Sequence, residues 1–209
     1  MRDCDLVRLY WPADLRPAFD ALMAIDEAMA DVVARSTEPT LGAIKLAWWR
    51  ERLEELDQGK VPAEPRLQAA ARELLGRGIS GASLAELEDG WLTLLEEQPD
   101  AERVGDRGAK LFALAATLLG ASHPLIDPAG RLFAYQQVAR RRLMAMHWPM
   151  DEIHRLSRGR FPQPLRPVTA LAALAARDAR RGPVVEPEAT PGRAFALIVH
   201  RLTGRLPSP

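Results

Sequence analysis

The chain has 209 residues, enough to bury a sizeable core in one domain, and its 28 Lys/Arg balance 28 Asp/Glu. A single cysteine, Cys4, excludes an internal disulfide or a thiolate metal cluster. No apolar run approaches the roughly 18 to 20 residues needed to span a bilayer, and the N-terminus has no signal-peptide core; a cytoplasmic protein follows by default.

Ala, Leu, Arg and Glu dominate while β-branched and aromatic residues are scarce, which favours helix because straight side chains lose little rotamer freedom there. Punctuation divides the chain into about eight helices. Pro12 introduces the first, with Leu15, Phe19, Leu22, Ile25, Met29 and Val33 at helical spacing, and Pro39 opens the second, which Gly59 ends. A third spans about 63–75. Ser83 and Glu86 form a capping-box pattern for the fourth, which displays Leu84, Leu87, Trp91, Leu94 and Leu95. Asp100 suits the cap of the fifth, whose apolar second half predicts a central position. Asp127-Pro128 reads as a cap followed by proline at the first position of the sixth. A Pro- and Arg-rich connection, 149–164, separates it from the seventh, 167–181. Thr190-Pro191 starts the last helix and Gly204 ends it. The expectation is all-α: one helical domain over 1–205, with 206–209 a disordered tail.

The charge balance hides an asymmetry. Residues 1–130 carry 14 Lys/Arg against 23 Asp/Glu, and residues 131–209 carry 14 Arg against five acids. Either the halves neutralise each other inside the fold, or the basic half faces an anionic partner such as a membrane surface. The sharpest basic cluster is Arg140, Arg141 and Arg142 with Arg155, Arg158, Arg160 and Arg166. Nucleic acid is disfavoured, because the only nearby aromatics for base stacking are Tyr135, Trp148 and Phe161. His123, His147, His154 and His200 are not at ligand spacings, so no metal site is expected from them. Cys4 falls in a polar terminus that reads as frayed.

The run Trp11–Ile25, then Glu38–Arg50 with its Trp48-Trp49 pair and following Arg50, then Ala129–Arg140, resemble in order the helices of the squalene/phytoene synthase family. The resemblance implies an isoprenoid-synthase-like bundle, truncated because the chain is shorter than a full synthase. It also implies head-to-head condensation of isoprenoid diphosphates, with Mg²⁺ held by carboxylates on facing helices to neutralise the leaving diphosphate. The places of the first acidic motif fall at Ala30, Asp31 and Ala34, so one carboxylate of three remains. Glu27 and Asp31, at i and i+4, are the residual acidic candidates; a solvated acidic face made by Asp26, Glu27 and Asp31 is the plainer reading. After Arg140, where further acids belong, stand Arg141, Arg142, Leu143, Met144 and Ala145. Guanidinium there repels Mg²⁺ but can grip phosphate oxygens. Arg140, Arg141, Gln136, Gln137 and Arg50 are therefore the candidates for holding a diphosphate. The family's later Gly-Arg-aromatic loop survives as Gly159-Arg160-Phe161-Pro162.

This loss of acids is similar to a branch of the family that includes a mitochondrial assembly factor for respiratory complex I. The expectation is a binding or assembly protein without cofactor, taking an isoprenoid diphosphate or a protein partner and peripheral to a membrane if the basic half meets one. The alternative is a divergent, Mg²⁺-dependent prenyltransferase. The Trp48-Trp49 pair reads as core packing rather than a ligand wall.

Overall fold

A computed structural model describes residues 2–145, 148–182 and 186–207. His147 lies outside the described residues. Among those described, helices account for all regular structure, and none is long and apolar enough to cross a membrane. The all-α expectation holds, but among the described residues eleven α-helices replace the expected eight.

They are α1 (Asp3–Arg8), α2 (Arg16–Arg35), α3 (Pro39–Leu56), α4 (Pro65–Glu73), α5 (Gly81–Ala85), α6 (Glu88–Leu92), α7 (Ala101–Leu118), α8 (Ile126–Arg140), α9 (Met150–Arg158), α10 (Arg166–Arg181) and α11 (Pro191–Thr203). Two of the additional helices, α1 and α9, are short, and their charges suit the helix dipole. Asp3 and Asp5 begin α1 and Arg8 ends it; Asp151 and Glu152 begin α9 and Arg155 and Arg158 end it. The expected connection at 149–164 thus contains a helix, held down by fully buried Ile153 and Leu156. Likewise, Asp3–Arg8 form a helix where a frayed segment was expected.

The expected fourth helix is split into α5, α6 and a 3₁₀ turn, and its cap is Ser80 rather than Ser83. Ser80 Oγ accepts the Ser83 amide at 3.0 Å, while Asp57 accepts the amides of Gly81 and Ala82 at 2.7 and 2.9 Å. The cap of α7 is Asp100 as expected, accepting from the Glu102 amide at 2.8 Å. Helix α8 starts one residue before Asp127, whose side chain makes no cap.

Two layers of contacts position the site. Helix α2 packs on α3, α4, α6 and α7 through Phe19, Leu22, Ile25, Met29 and Val33. Helices α7 and α8 form the most extensive pair, and α10 covers the other side of α8 and meets α1 and α11. Gly108 and Gly130 are what let α7 and α8 approach so closely: a Cβ on either would overlap the carbonyl oxygen of the other. Helix α10 is Ala-rich and buried almost all round, from Pro167 to Ala176. It is therefore central, alongside α7. The tail is docked at its start, since Leu206 is buried in the core.

Candidate functional site

The stripe that buries α2 carries one charge inward. Asp26 follows Leu22 by four residues and precedes Met29 by three, and it is 0 % exposed. A carboxylate removed from water must find partners or lose its charge. Arg107, on the inner face of α7, supplies them: its Nη1 donates to Asp26 Oδ1 at 2.5 Å. Trp91 Nε1 on α6 donates to the same oxygen at 2.9 Å, and Gln137 Nε2 on α8 donates to Oδ2 at 3.1 Å. Gln137 closes the ring by accepting from Arg107 Nη2 at 2.8 Å. The guanidinium carbon also sits 3.9 Å above the Trp91 ring centroid. Burial pulls the Arg107 pKa below its ordinary value, against the attraction of Asp26.

Beside this ring, α1, α2, α8 and α10 enclose a cavity of about 280 Å³. Phe133, Leu171 and Leu174 make an apolar wall, and Gln136, Gln137, Arg140 and Arg141 make a polar one. Arg141 pairs with Glu27 across the cavity. Arg140 Nη1 donates to Asp178 Oδ2 at 3.0 Å, and Gln136 Nε2 donates to that oxygen at 2.6 Å. Asp178 Oδ1 pairs with the buried Arg193, whose Nε donates to both oxygens of Asp3, at 3.0 and 2.9 Å. Arg193 thereby locks α11 to α1 and α10. Cys4 also lines the cavity; burial pushes its thiol up to about 12, so it is no thiolate nucleophile.

Five residues singled out in the sequence meet here: Glu27, Gln136, Gln137, Arg140 and Arg141. Two do not. Asp31 lies 3.4 Å from Arg35 and opens onto an adjoining groove that shares Arg2, Cys4 and Glu27 with the cavity, while Arg50 is on α3, 4.0 Å from Glu88. Ala30 is buried and Ala34 exposed. The plain reading of Asp26, Glu27 and Asp31 as one solvated face is corrected, because Asp26 points into the core. The arginine run is also divided: Arg140 and Arg141 enter the cavity rim, Arg142 turns the chain at φ 56°, and Arg155 pairs with Glu152. Trp49 packs in the core, but Trp48 stays 41 % exposed, with the rings edge to face. Phe161 of the surviving Gly-Arg-aromatic segment is fully buried, its amide donating to the Gly204 carbonyl at 2.7 Å.

The residues that sequence reasoning missed are Arg107, Asp178, Asp3 and Arg193. A signal existed for Arg107, since it lies between Val104 and Leu111 on an otherwise apolar stripe.

The carboxylates near the cavity do not suit a Mg²⁺ pair. Glu27, Asp26, Asp3 and Asp178 are each already bonded to a guanidinium. Among the described residues no three His, Cys, Asp or Glu side chains form a metal-binding group.

Residues 2–99 match the family model described as squalene/phytoene synthase, a stretch that runs from α1 past α6. No curated protein and no solved structure matches the chain. The match includes Asp26, Glu27 and Trp91 but ends before Arg107 and α8. The match covers just under half of the chain, so its N-terminal stretch is similar to the squalene/phytoene synthase family.

Proposed function

We propose that this squalene/phytoene-synthase-like chain does not perform Mg²⁺-dependent prenyl condensation and instead binds an isoprenoid diphosphate, or a protein partner, as a holding or assembly factor. The observation that carries the reading is the pairing of every carboxylate around the cavity with arginine. Condensation needs carboxylates free to hold divalent cations against the departing diphosphate. Here Arg140 and Arg141 stand on the rim, and guanidinium binds phosphate oxygens directly through paired hydrogen bonds. Gln136 and Gln137 add amide donors, and the wall of Phe133, Leu171 and Leu174 suits the start of a prenyl chain. The volume sits at the lower edge of ligand sites, which run from about 300 to 1,000 Å³, so the head group and adjoining carbons fit best. The likeness to the acid-poor branch of the family supports the assembly role.

The test uses purified protein with farnesyl or geranylgeranyl diphosphate and Mg²⁺, read by diphosphate release and by binding calorimetry. Binding without release is expected. Sustained release that Glu27→Ala or Asp31→Ala abolishes overturns the proposal in favour of a divergent prenyltransferase.

A further inference from the structure

Helix α11 is apolar on two faces. Ala196, Leu197 and the ring of His200 pack inward, but Phe195, Ile198, Val199 and Leu202 point out, 67, 50, 40 and 72 % exposed. Their spacing of three and four residues makes a continuous outer stripe, over a helix about 20 Å long. Single exposed apolar side chains are ordinary; a stripe of four on one helix marks a contact surface.

The chemistry at the C-terminal end of the stripe indicates what it meets. Arg160 Nε donates to the Thr203 carbonyl at 3.0 Å, and Arg166 Nη1 to the carbonyls of Arg201 and Leu202 at 2.8 and 3.1 Å. Arg201 lies 4.9 Å over the Tyr10 ring. Among the described residues, none of these arginines, nor exposed Arg205, pairs with a carboxylate, and residues 189–209 contain no acid at all. Several arginines elsewhere in the basic half are paired with acids, as Arg131 with Glu102 and Arg141 with Glu27. Here four arginines without a carboxylate partner among the described residues lie together, and they border the exposed apolar stripe. A groove of about 560 Å³ beside Leu202, lined by Tyr10, Gln163, Arg166 and Arg201, presents two guanidiniums at its edge.

We propose that α11 and this arginine cluster form a docking face for an anionic lipid surface. The stripe enters the head-group and acyl boundary, and the arginines meet lipid phosphates. The charge pattern favours this occupant over a second copy of the chain. A two-fold interface centred on α11 would bring together two copies of residues 189–209, a segment with no acid to meet Arg201 and Arg205. The inference concerns a face apart from the cavity and stands or falls independently of prenyl-diphosphate binding.

Flotation of the full chain with vesicles tests it. Wild type is expected to float with vesicles of equal parts phosphatidylglycerol and phosphatidylcholine, and not with phosphatidylcholine alone. Raising the ionic strength from about 0.01 to about 1 M, which shortens the screening length from about 30 to about 3 Å, should release it. Arg201→Glu with Arg205→Glu, and separately Ile198→Glu with Leu202→Glu, should each lower the bound fraction; each arginine lost should weaken partition about fivefold. Circular dichroism checks that the variants stay folded, and the salt series needs no variant. Failure of wild type to float at low ionic strength overturns the proposal, as does flotation that neither salt nor folded variants reduce. A dimer by light scattering that Ile198→Glu with Leu202→Glu dissociates, without any flotation, overturns it in favour of self-association.

Discussion

The Asp26 carboxylate and the Arg107 guanidinium meet at 2.5 Å between α2 and α7, with neither side chain touching solvent. Two charges buried this way hold one helix in register with another only while both are present. Asp26→Ala leaves the Arg107 charge, the Trp91 indole N–H and the Gln137 amide without their acceptor. It should cost about 3 to 5 kcal/mol in denaturant unfolding. Replacing both, Asp26→Leu with Arg107→Met, should recover most of that loss, because removing a whole buried pair is often close to neutral. An Asp26→Ala variant as stable as wild type contradicts this account of the ring.

The α7–α8 contact predicts a steric effect of similar origin. Gly108→Ala places a methyl against the Gly130 carbonyl oxygen, and backbone on backbone cannot yield as a flexible side chain can. A loss of about 1 to 3 kcal/mol or more is expected from thermal or denaturant melts. Ala at Gly76, where a Cβ meets nothing within 4 Å, serves as the control.

Acid should weaken the α10–α11 region through His200. Its Nδ1 donates to the Arg205 carbonyl at 2.9 Å and its Nε2 lies 2.9 Å from the Thr169 hydroxyl. Burial holds the imidazole below its ordinary value of 6.5. The unfolded chain therefore takes up a proton near pH 6.5 where the folded chain resists it, and it is the unfolded state that gains. The contribution is complete above about pH 6.5 and is lost as pH falls toward the lower folded value. His200→Gln should flatten this part of the stability profile, measured as unfolding midpoint against pH.

Glu186 acts in a more acidic window. The hydrogen bond from Arg177, aided by Thr190 and the nearby Arg177 and Arg181 charges, draws its carboxyl down to about 2 from an ordinary 4.5, against the effect of burial. The folded state thus holds the proton less tightly than the unfolded one. Its stabilisation is present above about pH 4.5 and disappears as pH falls through about 2. The gap in unfolding midpoint between wild type and Glu186→Gln should be widest near neutral pH and should close on acidification.

If the cavity holds a diphosphate, Arg140 and Arg141 carry most of the grip. Arg141→Gln should weaken binding of farnesyl diphosphate without Mg²⁺ by about ten- to a hundredfold, the range for one hydrogen bond to a charged group. Calorimetry reads the change. An unchanged affinity would place the ligand elsewhere.

What the sequence determined was local: helix after helix, the Asp100 cap, the prolines that open α3 and α11, and the glycine that ends α11. These follow from chemistry within a turn or two, so spacing along the chain suffices to read them. It also brought Gln136, Gln137, Arg140 and Arg141 to notice as one helical group. Only the tertiary structure decided that Asp26 is the buried acid, that Arg107, 81 positions away, neutralises it, and that Arg141 closes on Glu27. It likewise separated Asp31 and Arg50 from the cavity. Such pairings depend on how far each helix is turned and slid against its neighbours, and close contacts such as that of Gly108 with Gly130 set those rotations. No local pattern of residues encodes them.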